Sequence, residues 1–222
     1  VLIVSWWTDK QRNAKLLALL QPAALRHGLR LTVYVETAAS AKALRAEIKA
    51  LVDGPGQHKT WLRADGKPVV FLYTRILGAL KPKALQSAIV GAGAFVTADT
   101  LDVARFGDFD ALHTYYIARK TEQYRQALLD LRRLTRLTGK RLIATVMPGY
   151  NDTPVRNPGF VRPRSKTRYL RDTFAAATGA DWVLLTSFNE WHEGSEIEPS
   201  VQHGDTYIKL FAQLVDRWRT GP

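Results

Sequence analysis

Continuous apolar runs rich in β-branched residues alternate along this chain with segments whose apolar positions recur every three or four residues. The first pattern suits strands buried in a parallel sheet. The second suits helices that cover such a sheet with one apolar stripe. Seven runs read as strands: "VLIVSW" at the start, "RLTVYVE" ending at Glu36, "KPVVFLYT" ending at Thr74, "GAFVTAD" ending at Asp99, "FDALHTYY" ending at Tyr116, "KRLIATVMPGY" ending at Tyr150 and "DWVLLTSFNE" ending at Glu190. Among the intervening helices, one over Thr121–Thr138 carries Tyr124, Ala127, Leu128, Leu131, Leu134 and Leu137 at helical spacing. A last helix over residues 206–219 carries Ile208, Phe211, Leu214, Val215 and Trp218 in the same way.

This alternation fits either an open doubly wound sheet or a closed barrel. Two features favour the barrel. The loop after the first strand, "SWWTDKQRN", is aromatic and polar, with no glycine-rich phosphate-binding turn. Polar or aromatic residues also recur where strands end, at Ser5, Trp6, Trp7, Glu36, Tyr73, Asp99, His113, Tyr115, Tyr150, Asp152, Asn189 and Glu190. In a barrel those ends converge on the face where active sites are built. The predicted fold class is therefore α/β, a (β/α)8 TIM barrel, in a single domain over residues 1–222. Seven strands are one short of the barrel's complement, and the chain opens on Val1 directly into a strand, so the first strand is expected upstream of Val1.

Composition narrows the partners. The formal net charge of +12 favours anionic ligands, but the basic residues are scattered over helix faces, as in "LLDLRRLTRLTGKR" at 128–141. They read as solvated helix surface, and no nucleic-acid partner is expected. The absence of cysteine excludes disulfides and thiolate metal sites, and the five histidines show no ligand spacing, so no metal and no cofactor are expected. No apolar run reaches membrane-spanning length. The compartment stays undecided, a secreted or periplasmic location being favoured.

Candidate chemistry concentrates in "SFNEWHEGSEIEP", which places four carboxylates directly after the apolar run "WVLLT". Glu190 and Glu193 stand three apart, a spacing that on a helical turn brings their Cβ atoms within about 5–6 Å. Two carboxylates so close do not ionise freely together, so one pKa rises towards general-acid range, and such a pair serves glycoside hydrolysis. Trp191 offers an apolar wall beside them. A charged turn capping a strand is the alternative reading of the pair. Trp6, Trp7 and Trp191 suit stacking on sugar faces or packing. His192 lies between the glutamates, where a structural hydrogen bond competes with substrate contact. Asn189, Glu36, Tyr150, Asp152 and Arg156 lie at strand ends suited to binding hydroxyls, although Asp152 also suits an Asx-turn. Glu196 and Glu198 read as loop structure.

The complete string is more specific than its parts. "SFNEWHEG" followed by "IEP" resembles the signature of glycoside hydrolase family 99, the endo-acting α-mannosidases and mannanases built on a (β/α)8 barrel. "IVSWW" at 3–7, "HKTWLRADGKPVVFLY" at 58–73, "FDALHTYY" at 109–116 and "MPGYNDTPVR" at 147–156 resemble further segments of that family. The resemblance implies a retaining hydrolase of α-mannoside-like linkages in an oligosaccharide or polysaccharide. In it Glu190 acts as base on the sugar's 2-hydroxyl, a 1,2-anhydro sugar forms, and Glu193 serves as general acid and then base. Tyr115 is implied to lie beside this catalytic pair, holding the sugar or tuning Glu190. His113 stands where the family carries an aromatic residue, and residues 151–164 depart from the family pattern. A polysaccharide-biosynthesis protein with the same barrel and a non-catalytic carbohydrate-binding barrel are the alternative functions.

Overall fold

The computed structural model describes residues 1–119 and 121–220. The chain forms two compact units, one of residues 1–100 with 104–112, the other of 101–103 with His113 onward.

The first unit holds β1 (Leu2–Trp6), α1 (Lys10–Arg26), β2 (Leu31–Val35), α2 (Ala41–Asp53), β3 (Arg63–Ala64), β4 (Lys67–Leu72), α3 (Thr74–Ala79), α4 (Pro82–Ile89), β5 (Phe95–Asp99) and most of β6 (Ala111–His113). The sheet runs β1-β2-β4-β5-β6, with β3 paired antiparallel on β4. Strands β1, β2, β4 and β5 are parallel. Their order in space follows their order in sequence with no reversal. That is barrel winding, since a doubly wound sheet reverses at a switch point. Strands β2 and β5 are buried throughout, and α2 packs Leu44, Ile48 and Leu51 inward at i, i+4, i+7 spacing. Side-chain caps start two helices: Asp9 accepts from the Arg12 amide at 3.0 Å for α1, and Ser40 from the Ala43 amide at 3.1 Å for α2.

The second unit holds α5 (Thr121–Thr138), β7 (Ile143–Val146), β8 (Tyr150–Asn151), β9 (Val161–Arg162), α6 (Arg168–Ala176), β10 (Trp182–Leu185) and α7 (Thr206–Thr220). Strand β10 pairs parallel with β7, and β8 pairs antiparallel with β9. The α5 stripe is as expected through Tyr124, Ala127, Leu128 and Leu131, all buried. It then continues through Thr135, four residues on, and leaves Leu137 83% exposed. Leu137 lies off the stripe by helical phase, and Thr135 satisfies its hydroxyl on the Arg132 carbonyl at 3.2 Å. Helix α7 buries Tyr207 and Leu210 most deeply, and Phe211 meets Phe174 edge-on with centroids 5.7 Å apart.

All seven expected strands occur, each shorter than its apolar run, and the last three stop well before their runs end. Strand β6 stops at His113, β7 at Val146 and β10 at Leu185. Residues expected at strand termini, Tyr115, Tyr150 and Glu190 among them, therefore lie beyond the ladder that ends at the Leu185–Val146 pair. The two-residue strands β3, β8 and β9 are too short to carry a period and had no sequence signal. No helix among the described residues is long and apolar enough to cross a membrane.

Candidate active site

Beyond β10 the chain makes a loop tied across its own base. The Ser187 amide donates to the Ser195 carbonyl at 2.9 Å, and the two hydroxyls lie 2.9 Å apart. Further along, the Ile197 and Glu198 amides both donate to the Phe188 carbonyl, at 3.0 and 2.9 Å. Inside this closure Trp191–Glu193 form a single 3-10 turn. The Glu190 amide donates to the Ser187 hydroxyl at 2.9 Å, which fixes the backbone at the start of the turn. Gly194 ends it in the left-handed conformation (φ +55°) while lying flat on β8. A Cβ there would sit 3.1 Å from the Asn151 amide nitrogen and carbonyl oxygen, so both the dihedral and the close approach require glycine.

Within the second unit, five of the expected site residues form one network. The Tyr115 hydroxyl donates to Glu193 Oε2 at 3.1 Å. Arg156 Nη2 donates to Glu193 Oε1 at 2.8 Å, while its Nη1 donates to Asp152 Oδ2 at 2.7 Å and contacts the Tyr150 hydroxyl. Tyr150 donates to the same Asp152 oxygen at 2.9 Å, and the Phe160 amide donates to Asp152 Oδ1 at 2.6 Å. Asp152 is buried with both oxygens taken, so it orients Arg156, whose side chain is half-exposed. Tyr115 thus meets Glu193, whereas the sequence reading set it beside the pair to hold the sugar or tune Glu190.

The two carboxylates differ in surroundings. Burial raises the Glu190 pKa above the ordinary carboxylate value, the neighbouring Glu193 charge raises it further, and His192 and Arg156 offset part of this. Burial also acts upward on Asp152, but the hydrogen bonds from Arg156, the Phe160 amide and Tyr150 outweigh it and hold that carboxyl low. Arg156 is in turn held strongly protonated by its bonds to Asp152 and Glu193. Burial and the nearby Glu193 charge thus make Glu190, the first glutamate of the turn, a carboxyl with a raised pKa.

Asn189 and His192 are exposed on this loop. Trp191 is 47% exposed, with its indole N–H donating to Glu198 at 2.8 Å. The remaining candidates belong to the first unit. Trp6 is buried, donating its indole N–H to Glu47 of α2 at 2.5 Å, which makes it a packing residue. Trp7 is 37% exposed, and Glu36 is buried with its carboxylate 3.9 Å from Arg75.

Sequence reasoning missed the prop beneath the turn. Arg164, largely buried, donates from Nη2 to Glu196 Oε1 at 2.6 Å and to the carbonyls of Glu196 and Gly194 at 2.9 and 3.1 Å. Its guanidinium carbon lies 4.4 Å from the Tyr207 ring centroid of α7. A partner 32 residues away leaves no local spacing to read. Gly149 makes room for Arg164, since a Cβ there would lie 2.4 Å from its Cγ. Among the described residues no group of three or more His, Asp or Glu is placed to hold a metal ion.

Parallel strands wound in sequence order, alternating with helices and followed by a glutamate pair just past the last strand, define an α/β protein of the (β/α)8-barrel class. The chain belongs to glycoside hydrolase family 99: the model of that family, glycosyl hydrolase family 99, matches residues 1–211. It is 25% identical over 237 residues to a glycoprotein endo-α-1,2-mannosidase of Rattus norvegicus, covering 90% of this chain and 50% of that protein. The corresponding protein of Mus musculus is 26% identical over 234 residues, with 90% and 50% covered. The chain thus spans about half the length of these curated relatives. Among solved structures, the family 99 endo-α-mannosidase of Bacteroides thetaiotaomicron superposes with a TM-score of 0.85 at 26% identity, covering 98% of this chain and 75% of that one.

Proposed function

We propose that the chain acts as one catalytic domain of an endo-acting, retaining glycoside hydrolase that cleaves α-mannoside-like linkages in a glycan. The observation that carries this reading is the asymmetry of the glutamate pair. Glu190 has a raised pKa and, among the described residues, no hydrogen-bonded cation, while Glu193 is gripped by Arg156 and Tyr115. The family and the names of the relatives support endo action on α-mannosidic bonds.

The mechanism follows from that asymmetry. A carboxylate with a raised pKa is a stronger base, suited to taking a proton from a hydroxyl. Glu190 accepts the proton of the sugar's 2-hydroxyl as O2 attacks C1. The C1–O bond to the leaving sugar breaks, and Glu193 protonates that oxygen. Glu193, now a carboxylate, takes a proton from water as the water oxygen attacks C1 of the 1,2-anhydro sugar. The C1–O2 bond opens, and O2 recovers its proton from Glu190. Two displacements at C1 give net retention. Arg156 Nη2 lies 2.8 Å from Glu193 Oε1 and holds that carboxyl in place. Tyr115 orients Glu193 through Oε2, Asp152 and Tyr150 position Arg156, and Trp191, Asn189 and His192 contact sugars; within the first unit, Trp7 and Glu36 are the expected sugar contacts.

The test is hydrolysis of α-linked mannan oligosaccharides, with products read by mass spectrometry. Glu190→Gln and Glu193→Gln are each expected to abolish turnover while leaving glycan binding. Ordinary turnover in either variant sinks the mechanism. Binding without turnover in the unsubstituted chain leaves a carbohydrate-binding barrel instead.

A further inference from the structure

We propose that Arg75 forms an oxyanion-binding subsite, so that the glycan this chain takes carries an acidic group: a uronate carboxylate, or a sulfate or phosphate ester. The proposal rests on the preceding reading only in taking the ligand to be a glycan.

The subsite is built at one edge of the first unit's sheet. Trp6 pairs with Val35, and Val35 with Leu72, so Trp7, Glu36 and Tyr73 leave β1, β2 and β4 at the same level. The Glu36 amide still donates to the Trp6 carbonyl at 3.1 Å and the Tyr73 amide to the Val35 carbonyl at 3.0 Å, which fixes that level. Asn13 braces Trp7 by donating to its carbonyl at 2.6 Å. Arg75 follows in the first turn of α3. Its guanidinium carbon lies 5.4 Å from the Trp7 ring centroid and 4.9 Å from that of Tyr73.

Contact with two aromatic rings holds the guanidinium in place and reduces the side-chain freedom still to be lost on binding. The Arg75 side chain nonetheless stays 53% exposed. A guanidinium has five N–H donors, and among the described residues those of Arg75 make no hydrogen bond. Glu36 lies 3.9 Å away, beyond hydrogen-bond reach and itself largely buried, so it moderates the charge without occupying the donors. An immobilised, solvent-facing fork with open donors matches the paired oxygens of a carboxylate, sulfate or phosphate better than a single sugar hydroxyl. Trp7, still 37% exposed, leaves ring surface beside it for the sugar carrying the anion. The net charge of +12 favours approach of such a polymer.

The test uses the full chain carrying Glu193→Gln to prevent turnover, with binding measured by calorimetry. Three matched mannose oligosaccharides serve as probes: one neutral, one bearing a glucuronate and one bearing a sulfate monoester. At low salt at least one acidic probe is expected to bind about tenfold tighter than the neutral one, as one charge-assisted contact predicts. That margin should shrink at about 0.5 M salt. Arg75→Met should bring the two to parity, and Arg75→Lys should keep part of the preference. The probe that responds identifies the source of the oxyanion. Equal binding of acidic and neutral probes, no binding of either acidic probe, or a preference unchanged in Arg75→Met overturns the proposal. Turnover of neutral mannan without acid preference removes this proposal and leaves the proposed function. Acid-selective binding through Arg75 with no turnover in the unsubstituted chain does the reverse.

Discussion

Replacing Arg164 tests whether the glutamate turn is held from beneath. In Arg164→Met, the Glu196 carboxylate, whose side chain is 8% exposed, loses its 2.6 Å partner, and the carbonyls of Gly194 and Glu196 lose a shared donor. Breaking one side of a buried ion pair costs about 3–5 kcal/mol. Among the described residues Arg164 Nη1 is already buried without a hydrogen-bond partner, so the pair is incompletely satisfied and the lower end, about 3 kcal/mol, applies. For a chain of this size that corresponds to a fall in melting temperature of about 6–12 °C. About 2 kcal/mol of the loss comes from the stranded carboxylate and about 1 kcal/mol from the carbonyls. The double variant Arg164→Met/Glu196→Leu should therefore recover the larger part, because it strands no charge. Urea unfolding of the wild type, both single variants and the double variant measures each quantity, and turnover should fall in the single variant because Gly194 adjoins Glu193. A loss below about 1 kcal/mol in Arg164→Met, or a double variant no more stable than that single variant, refutes the reasoning.

Three further outcomes follow from the same geometry. Glu190 has a folded pKa above its unfolded value, so its contribution to stability falls as pH rises from the unfolded to the folded value; Glu190→Gln should remove that decline and raise the melting temperature at neutral pH, read by thermal melts across pH. Arg156→Met removes the 2.8 Å donor to Glu193 Oε1 and the partner of Asp152 Oδ2, and should lower kcat more than it raises KM in initial-rate kinetics on mannan oligosaccharides. Gly194→Ala must adopt φ +55° with its Cβ 3.1 Å from the Asn151 backbone, and should cost about 1–3 kcal/mol in urea unfolding, with loss of turnover.

The fold was legible because its signals are local. Buried parallel strands such as "LTVYV" and the α5 stripe carry their periods within a few residues. Strand ends were overextended, because "FDALHTYY" and "KRLIATVMPGY" stay apolar or aromatic after the ladder stops, and hydropathy does not record where a partner strand ends. The glutamate turn stood out as a contiguous string. Its supports did not, since Tyr115, Arg156 and Arg164 reach it from 78, 37 and about 30 residues away. Trp6 and Trp7 are adjacent and alike in sequence, yet alternation along the strand end buries one against Glu47 and exposes the other to Arg75. Which of two neighbouring tryptophans faces solvent depends on the pleat, and the pleat is set by strand pairing.

The central claim is that Glu190 and Glu193 carry out two successive displacements at one carbon. Its most direct test is the anomeric configuration of the first product released from an α-linked mannan oligosaccharide, followed by proton NMR before mutarotation. The account predicts the α-anomer. A β-anomer as first product contradicts it.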